Sequence, residues 1–234
     1  MKERLDKFIS SQTRLSRKEA VKAVREKRVT VNGDATHTAD IKIDPAADIV
    51  THDGSRVSYR QNVYYMLNKP AGVVSATEDR SERTVIDLLP AELRRDGIFP
   101  AGRLDKDTTG LLILTDDGGY AHRMLSPKKH VDKTYIAALD REPGEEIPSR
   151  FHEGIVLGDG TACKPAEAAI MDDGRVKVII REGKYHQVKR MFAALGYHVE
   201  ALERVQIGGL RLDPDLPPGE IRELKEEEAA LVFA

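Results

Sequence analysis

The chain has 234 residues, 40% of them hydrophobic and 32% charged, with a net charge of −2. That is enough for one large domain or two modest ones around an apolar core. No run of about 18 uncharged apolar residues exists to span a bilayer, and the mixed-charge start Met1-Lys2-Glu3-Arg4-Leu5-Asp6 lacks the apolar stretch of a signal peptide, so a soluble cytoplasmic protein is expected. The single cysteine, Cys163, excludes an intrachain disulfide and any Cys-rich zinc site. Its surroundings, Thr161-Ala162-Cys163-Lys164-Pro165, carry no activating signature, so a small, inert strand residue is expected. The charge is unevenly spread. Residues 1–33 hold ten Lys/Arg against four acids, a local charge of +6, which leaves −8 on the other 201 residues. A basic head on an acidic body suggests that the head docks on a polyanion.

The head reads as two short helices and a hairpin. Leu5, Phe8 and Ile9 share one helical face. Ser16-Arg17-Lys18-Glu19 has the spacing of a capping box. Behind it Ala20, Val21 and Val24 form an apolar stripe, with Lys18, Lys22 and Arg25 on a neighbouring face. Val29 and Val31 then alternate into Asn32-Gly33, a tight-turn signal. Asp48-Ile49-Val50 is the last short strand candidate before a polar stretch, Asp53-Gly54-Ser55 to Gln61-Asn62, where a boundary is expected. The division drawn is 1–58 and 59–234.

In the body, strands are expected at Val63–Leu67, Leu111–Leu114, Tyr135–Leu139, Ala166–Met171 and Val176–Ile180. Helical patterns are fewer: Tyr120–Leu125, Pro148–Gly154, and Tyr185–Leu195 ending at Gly196. Successive strands with few intervening helices imply an α+β fold with a mostly antiparallel mixed sheet. Glu226-Glu227-Glu228 suits a solvated helix face.

The most informative stretch runs from Gly102-Arg103-Leu104-Asp105-Lys106-Asp107-Thr108-Thr109-Gly110 into the strand-like Leu111-Leu112-Ile113-Leu114. A charged turn feeding a buried strand can hold a carboxylate rigidly at a surface. The same residues allow other readings. Asp105 could hydrogen-bond turn amides. Asp105, Asp107, Thr109, Gly110 and Asp116 also loosely track a calcium loop, although Asp replaces Glu at its last position and no helices flank it. There is no Walker loop and no dinucleotide-binding glycine pattern. His122, His130, His186 and His198 lack zinc spacing and suit surface or RNA-contact positions.

Two resemblances give these pieces a meaning. Arg4-Leu5-Asp6-Lys7-Phe8, Leu15-Ser16-Arg17-Lys18-Glu19-Ala20 and Arg28-Val29-Thr30-Val31-Asn32-Gly33 resemble the small RNA-binding module first known in ribosomal protein S-four. That resemblance implies RNA contacts through Arg4, Arg17, Lys18, Lys22, Arg25 and Arg28. Gly102-Arg103-Leu104-Asp105 with Thr108-Thr109-Gly110-Leu111 resembles the signature of the pseudouridine synthases. Leu67–Gly72, Lys133-Thr134-Tyr135, Glu182–Phe192 and Val199–Gly208 agree with the RsuA branch of that family.

The resemblance implies a reaction in which the uridine N1–C1′ bond is broken, the base turned, and the bond remade through C5. No metal, redox centre or other cofactor is needed. Asp105 matches the catalytic aspartate, as nucleophile or as stabiliser of the positive sugar. Lys189 matches the basic residue that pairs with it, with a point charge where many relatives carry the fork of Arg. Tyr135 matches the active-site tyrosine. Arg103 would occupy the gap left by the flipped nucleotide, and Leu202 would line the base pocket.

The expected target is one uridine in small-subunit (16S) rRNA, within a partly assembled particle and met by a monomeric enzyme. Large-subunit (23S) relatives usually carry Asn-Arg or Phe-Arg where Tyr185-His186 stand. The alternatives are the same reaction on 23S rRNA and a non-catalytic rRNA-binding assembly factor.

Overall fold

The computed structural model describes residues 2–13, 15–126 and 131–234; Arg14 and His130 lie outside them. The chain forms two compact units, residues 1–63 with 89–98, and residues 64–88 with 99–234.

The first unit begins with a short strand, Glu3–Arg4 (β1), and two helices, Leu5–Gln12 (α1) and Arg17–Arg25 (α2). Short strands follow at Val29–Val31 (β2), Asp34–Ala35 (β3), Lys42–Ile43 (β4), Val50–His52 (β5) and Ser55–Arg56 (β6). β1 pairs with β4, and the remaining four form an antiparallel sheet in the order β3-β2-β5-β6. The capping box forms as expected: Ser16 accepts from the Glu19 amide, and the Glu19 carboxylate accepts from the Ser16 amide at 2.8 Å. Leu5, Phe8, Ile9, Ala20, Val24, Val29, Ile43 and Val50 build the core. Ala23 joins it in place of Val21, which is only half-buried: the stripe follows i, i+3, i+4 from Ala20.

Asn32 and Gly33 make the expected turn with φ of 54° and 94°. Asp53 and Gly54, at 51° and 76°, repeat it. The polar stretch at Asp53-Gly54-Ser55 is therefore a second hairpin turn, joining β5 to β6. A tight turn and a linker share the same polar, glycine-containing composition.

The second unit starts at Tyr64–Lys69 (β7) and continues through Phe99–Ala101 (β8), Thr109–Thr115 (β9), Gly118–Leu125 (α3) and Lys133–Leu139 (β10). Ile147–Glu153 (α4), Glu167–Ile170 (β11), Val176–Ile180 (β12) and Gln187–Ala194 (α5) follow. Val199–Ile207 (β13), Leu210–Arg211 (β14), Ile221–Glu223 (β15), Glu226–Ala230 (α6) and a closing 3-10 turn, Leu231–Phe233, complete it. Its sheet runs β11-β12-β10-β13-β9-β7-β15, with β14 added beside β13 and β8 beside β9. Among the described pairings in this sheet only β13 with β9 is parallel. The fold is thus α+β with a largely antiparallel mixed sheet.

Strand β9 is buried from Gly110 to Thr115, so it lacks the alternation of an exposed strand because both faces are covered. Met66, Leu111, Ile113, Tyr120, Met124 and Ile207 belong to the core beside it. Glu228 does not simply face solvent; Arg222 pairs with it at 2.9 Å. Cys163 is buried in a loop and not in a strand, and burial pushes its thiol above the usual range.

Candidate active site

The loop carrying Asp105 is held from several sides. The Thr108 amide donates to the Asp105 carbonyl at 3.1 Å, closing a turn. Ser75 fastens Leu104, accepting from its amide at 3.0 Å and donating to its carbonyl at 2.9 Å. Lys106 pairs with Glu82 at 2.7 Å. The Asp105 side chain itself is 27% exposed, reachable and not loose.

Beneath the loop lies Lys69, at the end of β7, with no solvent exposure. Its Nζ donates to the carbonyls of Pro70 at 3.0 Å, Lys106 at 3.2 Å and Thr108 at 2.9 Å. Burial lowers its pKa to about 8, and the carboxylates of Asp107 and Asp105 limit the fall. A buried cation bonded to three carbonyls ties the loop to β7 just past Asp105, at residues 106 and 108.

Register explains the rest. Tyr135 of β10 lies opposite Arg204 of β13, Arg204 opposite Gly110 of β9, and Gly110 opposite Lys69 of β7. Four neighbouring strands thus align residues 69, 110, 135 and 204 in one row. Gly110 is required there. Its φ is +95°, and a Cβ would stand 2.3 Å from the Arg204 carbonyl oxygen. Arg204 is buried, donates from Nε to the Leu111 carbonyl at 2.8 Å, and sits 6.0 Å from the centre of the Tyr135 ring. Leu202, two residues before Arg204 and opposite Ala137, shares the Tyr135 face of the sheet; it is buried. Lys133, also buried, is pushed below the ordinary lysine range by desolvation and by Arg204. Thr134, Ile179 and Gln206 point to the opposite face, where they line a separate cavity of about 630 Å³.

Helix α5 brings the charges to the loop. Lys189 contacts Asp105 at 3.9 Å but bonds Asp107 at 2.5 Å. The expected partnership with Asp105 is therefore shared, and Asp107 is the nearer carboxylate. Hydrogen bonding from Lys189 holds the Asp107 carboxyl below its usual range. The second contact to Asp105 is His186, whose Nε2 lies 3.3 Å from Oδ1. The helix starts two residues later than its apolar pattern suggests. His186 has left-handed backbone, φ 46°, and Gln187 folds back to accept from the Lys184 amide at 2.9 Å and donate to Glu182 at 2.7 Å.

Asp105, Lys189, Tyr135 and Leu202 all lie in the second unit, as does the exposed Arg103. Lys69 and Arg204 are the site residues that sequence reasoning left without a role; His186, expected as a surface or RNA-contact residue, stands beside Asp105. A lysine ending an apolar strand was the available sign of Lys69; nothing local marked Arg204. In the first unit, Arg4 and Arg17 reach the buried Asp6 at 2.8 and 3.4 Å. Arg28 pairs with Asp53 and Lys22 lies 3.8 Å from Glu26. Lys18 and Arg25 are exposed, without an ion pair among the described residues.

No three His, Cys, Asp or Glu side chains among the described residues are grouped to hold a metal. Nor, among them, is any helix long and apolar enough to cross a membrane.

Residues 63–194 match the family model described as RNA pseudouridylate synthase, and residues 3–35 match the S4 domain. The chain belongs to the RNA pseudouridine synthase family. The synthase is 47% identical to "Uncharacterized RNA pseudouridine synthase YtzG" of Bacillus subtilis, covering 98% of each chain. It is 44% identical to "Ribosomal small subunit pseudouridine synthase A" of Escherichia coli, over 98% of this chain and 99% of that one. A solved structure, "Crystal structure of pseudouridylate synthase", superposes with a TM-score of 0.68 at 40% identity, covering 98% of this chain and 99% of the other. The enzyme isomerises uridine in RNA.

Proposed function

We propose that this synthase, acting as a monomer, converts one uridine of small-subunit rRNA to pseudouridine within a partly assembled particle, with Asp105 as its essential carboxylate. The observation that carries the reading is the placement of Asp105. It stands half-exposed on a loop pinned by Lys69, bordered by His186 and Lys189, in the unit that also carries the buried Tyr135. Cleavage of N1–C1′ gives C1′ positive character, which a carboxylate serves by covalent attack or by charge stabilisation. Rebonding through C5 releases the C5 proton and leaves N1 carrying one. The Tyr135 ring supports the detached uracil, and Leu202 keeps that side apolar. Lys189, shared between Asp105 and Asp107, orients the pair.

The target follows from likeness to the small-subunit enzyme of Escherichia coli and from a physical constraint. A pocket for uracil cannot tell one uridine from hundreds, so RNA shape must be read elsewhere, by the S4 domain. Among the described residues, Lys18, Arg25 and Lys27 are exposed cations of the matched span without an ion pair.

The test incubates the enzyme and its Asp105→Asn variant with naked small-subunit rRNA, partly assembled small subunits, large-subunit rRNA and a short oligonucleotide. Wild type should modify one uridine, best in the partly assembled particle, while the variant binds RNA and forms no pseudouridine. Repeated turnover by the variant would remove Asp105 from its role. Modification confined to large-subunit rRNA would reassign the substrate, and efficient modification of the oligonucleotide would defeat the shape argument.

A further inference from the structure

We infer that Tyr185 and His186 form a stacking platform for a nucleobase flanking the target uridine. The inference rests on the reading of Asp105 as the reaction centre. Tyr185 is 73% exposed, although a large aromatic side chain is usually covered. One of its faces is occupied. The His186 imidazole stacks on it at 3.8 Å between ring centres, tilted by 18°. With so much of the ring still accessible, the other face is open.

The platform is placed and held by contacts already at the site. The His186 imidazole that carries the stack meets Asp105 at its edge, Nε2 lying 3.3 Å from Oδ1, so a single side chain links the Tyr185 ring to the carboxylate. The backbone beneath is held in an uncommon conformation. A left-handed His costs roughly 1 kcal/mol, and His186 keeps it at φ 46°. Gln187 bridges Lys184 and Glu182 on one side of the pair, and Arg190 donates to the Tyr185 carbonyl at 3.3 Å. The chain neighbours of the ring, Lys184, His186 and Arg190, are polar. Tyr185 is therefore not the centre of an apolar patch of the kind that docks another protein.

An open aromatic face fits an unstacked base, since every nucleobase has a π-face. The chemistry also creates that base. When the target uridine turns out of its stack, the next base along loses one stacking partner. Tyr185 replaces it. Because stacking tolerates any base, the platform sets where the neighbouring nucleotide lies and not which letter it is.

The test compares Tyr185→Phe, Tyr185→Leu and Tyr185→Ala in the full-length protein on a small-subunit rRNA transcript. Two readouts are taken: kcat/KM for pseudouridine formation, and RNA affinity across a salt series, the latter repeated in the Asp105→Asn background where no turnover is needed. Stacking on a base contributes about 1–3 kcal/mol. Leu and Ala should therefore lower affinity and kcat/KM about tenfold, whereas Phe stays within about twofold. The salt slope should not change, because no phosphate contact is lost. An unaltered Tm would exclude misfolding, which exposure of the ring already disfavours. If Leu performs as well as Phe, or all three equal an active wild type, the platform is wrong. A reduced salt slope would make Tyr185 a phosphate contact and overturn it equally. If instead wild type makes no pseudouridine while affinity still follows the aromatic ring, the platform stands and the reading of the reaction falls.

Discussion

The two units handle positive charge in opposite ways. In the first, cations lie at the surface: Lys18 and Arg25 point to solvent, and Arg4 and Arg17 fold over the carboxylate of Asp6. In the second, Lys69, Lys133 and Arg204 are buried around the loop that carries Asp105 and along the strands beneath it. The composition of residues 1–33 advertises the first arrangement and conceals the second, because the body is net negative. Counting charges finds where a polyanion docks. Only burial finds the cations that hold the Asp105 loop and the strands beneath it. A surface cation is screened and exchanges freely with water; a buried one must bond carbonyls or carboxylates, and so fixes whatever bears them.

Breaking the buried arrangement should have the largest effect. In Lys69→Met the three carbonyl bonds disappear while the volume is kept. kcat should fall by more than about a hundredfold with KM for RNA little changed, as measured by initial rates on small-subunit rRNA. Stability carries a second signature. The folded protein releases the Lys69 proton near pH 8, whereas the unfolded chain holds it to about 10.5. Between those values the unfolded state binds more protons, so this group makes wild type more stable as pH rises. Denaturant titrations of both proteins across that window should show wild type gaining on the variant. A constant gap would mean that burial does not lower the Lys69 pKa.

An intermediate effect is expected at the shared cation. Lys189→Ala frees Asp107 and removes the 3.9 Å contact to Asp105; a loss of about ten- to hundredfold in kcat is expected, with a smaller change in affinity. Lys189→Arg should restore part of it. If Ala instead weakens binding to all RNAs alike and reduces the salt slope by about one, Lys189 belongs with the surface cations, and both units use exposed charge to hold RNA.

The smallest effect should come from the head. Arg4 chiefly holds the Asp6 carboxyl down to about 2, with Arg17 adding to it. A depressed carboxyl stabilises the fold above its unfolded value of 3.8 and loses that contribution as pH falls towards 2. Asp6→Asn should therefore destabilise by about 1–2 kcal/mol at neutral pH, with the difference from wild type closing between about pH 4 and pH 2. Catalytic turnover at saturating RNA should stay as it was.

How far the sequence could be read follows the same division. The Ser16 box, the Asn32-Gly33 turn and the strand at Val176–Ile180 are local, and a few neighbouring residues decide each. Asp105, Tyr135 and Lys189 could be singled out through likeness to a family, without any account of what surrounds them. The missing account is a matter of register. Nothing near Arg204 tells that it faces Gly110, and nothing near Lys69 tells that its ammonium bonds the carbonyls of residues 106 and 108. Even the nearer partner of Lys189, Asp107, was hidden by a difference of two residues in one loop. Local excess of another kind misled as well: the apolar pattern ran on to Tyr185, but the left-handed His186 ends it and turns both rings towards Asp105 and solvent.

The parallel pairing of β9 with β13 also governs when the enzyme exists during its own synthesis. Thr109 and Gly110 meet Glu203 and Arg204 across more than ninety residues, while the hairpins and helices of the head close over far shorter loops. Long-range pairings form late, because the chain between them must first be available and then be ordered. An emerging polypeptide therefore gains a folded S4 domain well before residue 204 leaves the ribosome. For that interval the chain carries its S4 domain without a completed synthase sheet. The sheet that carries the Asp105 loop closes only when its last strands arrive.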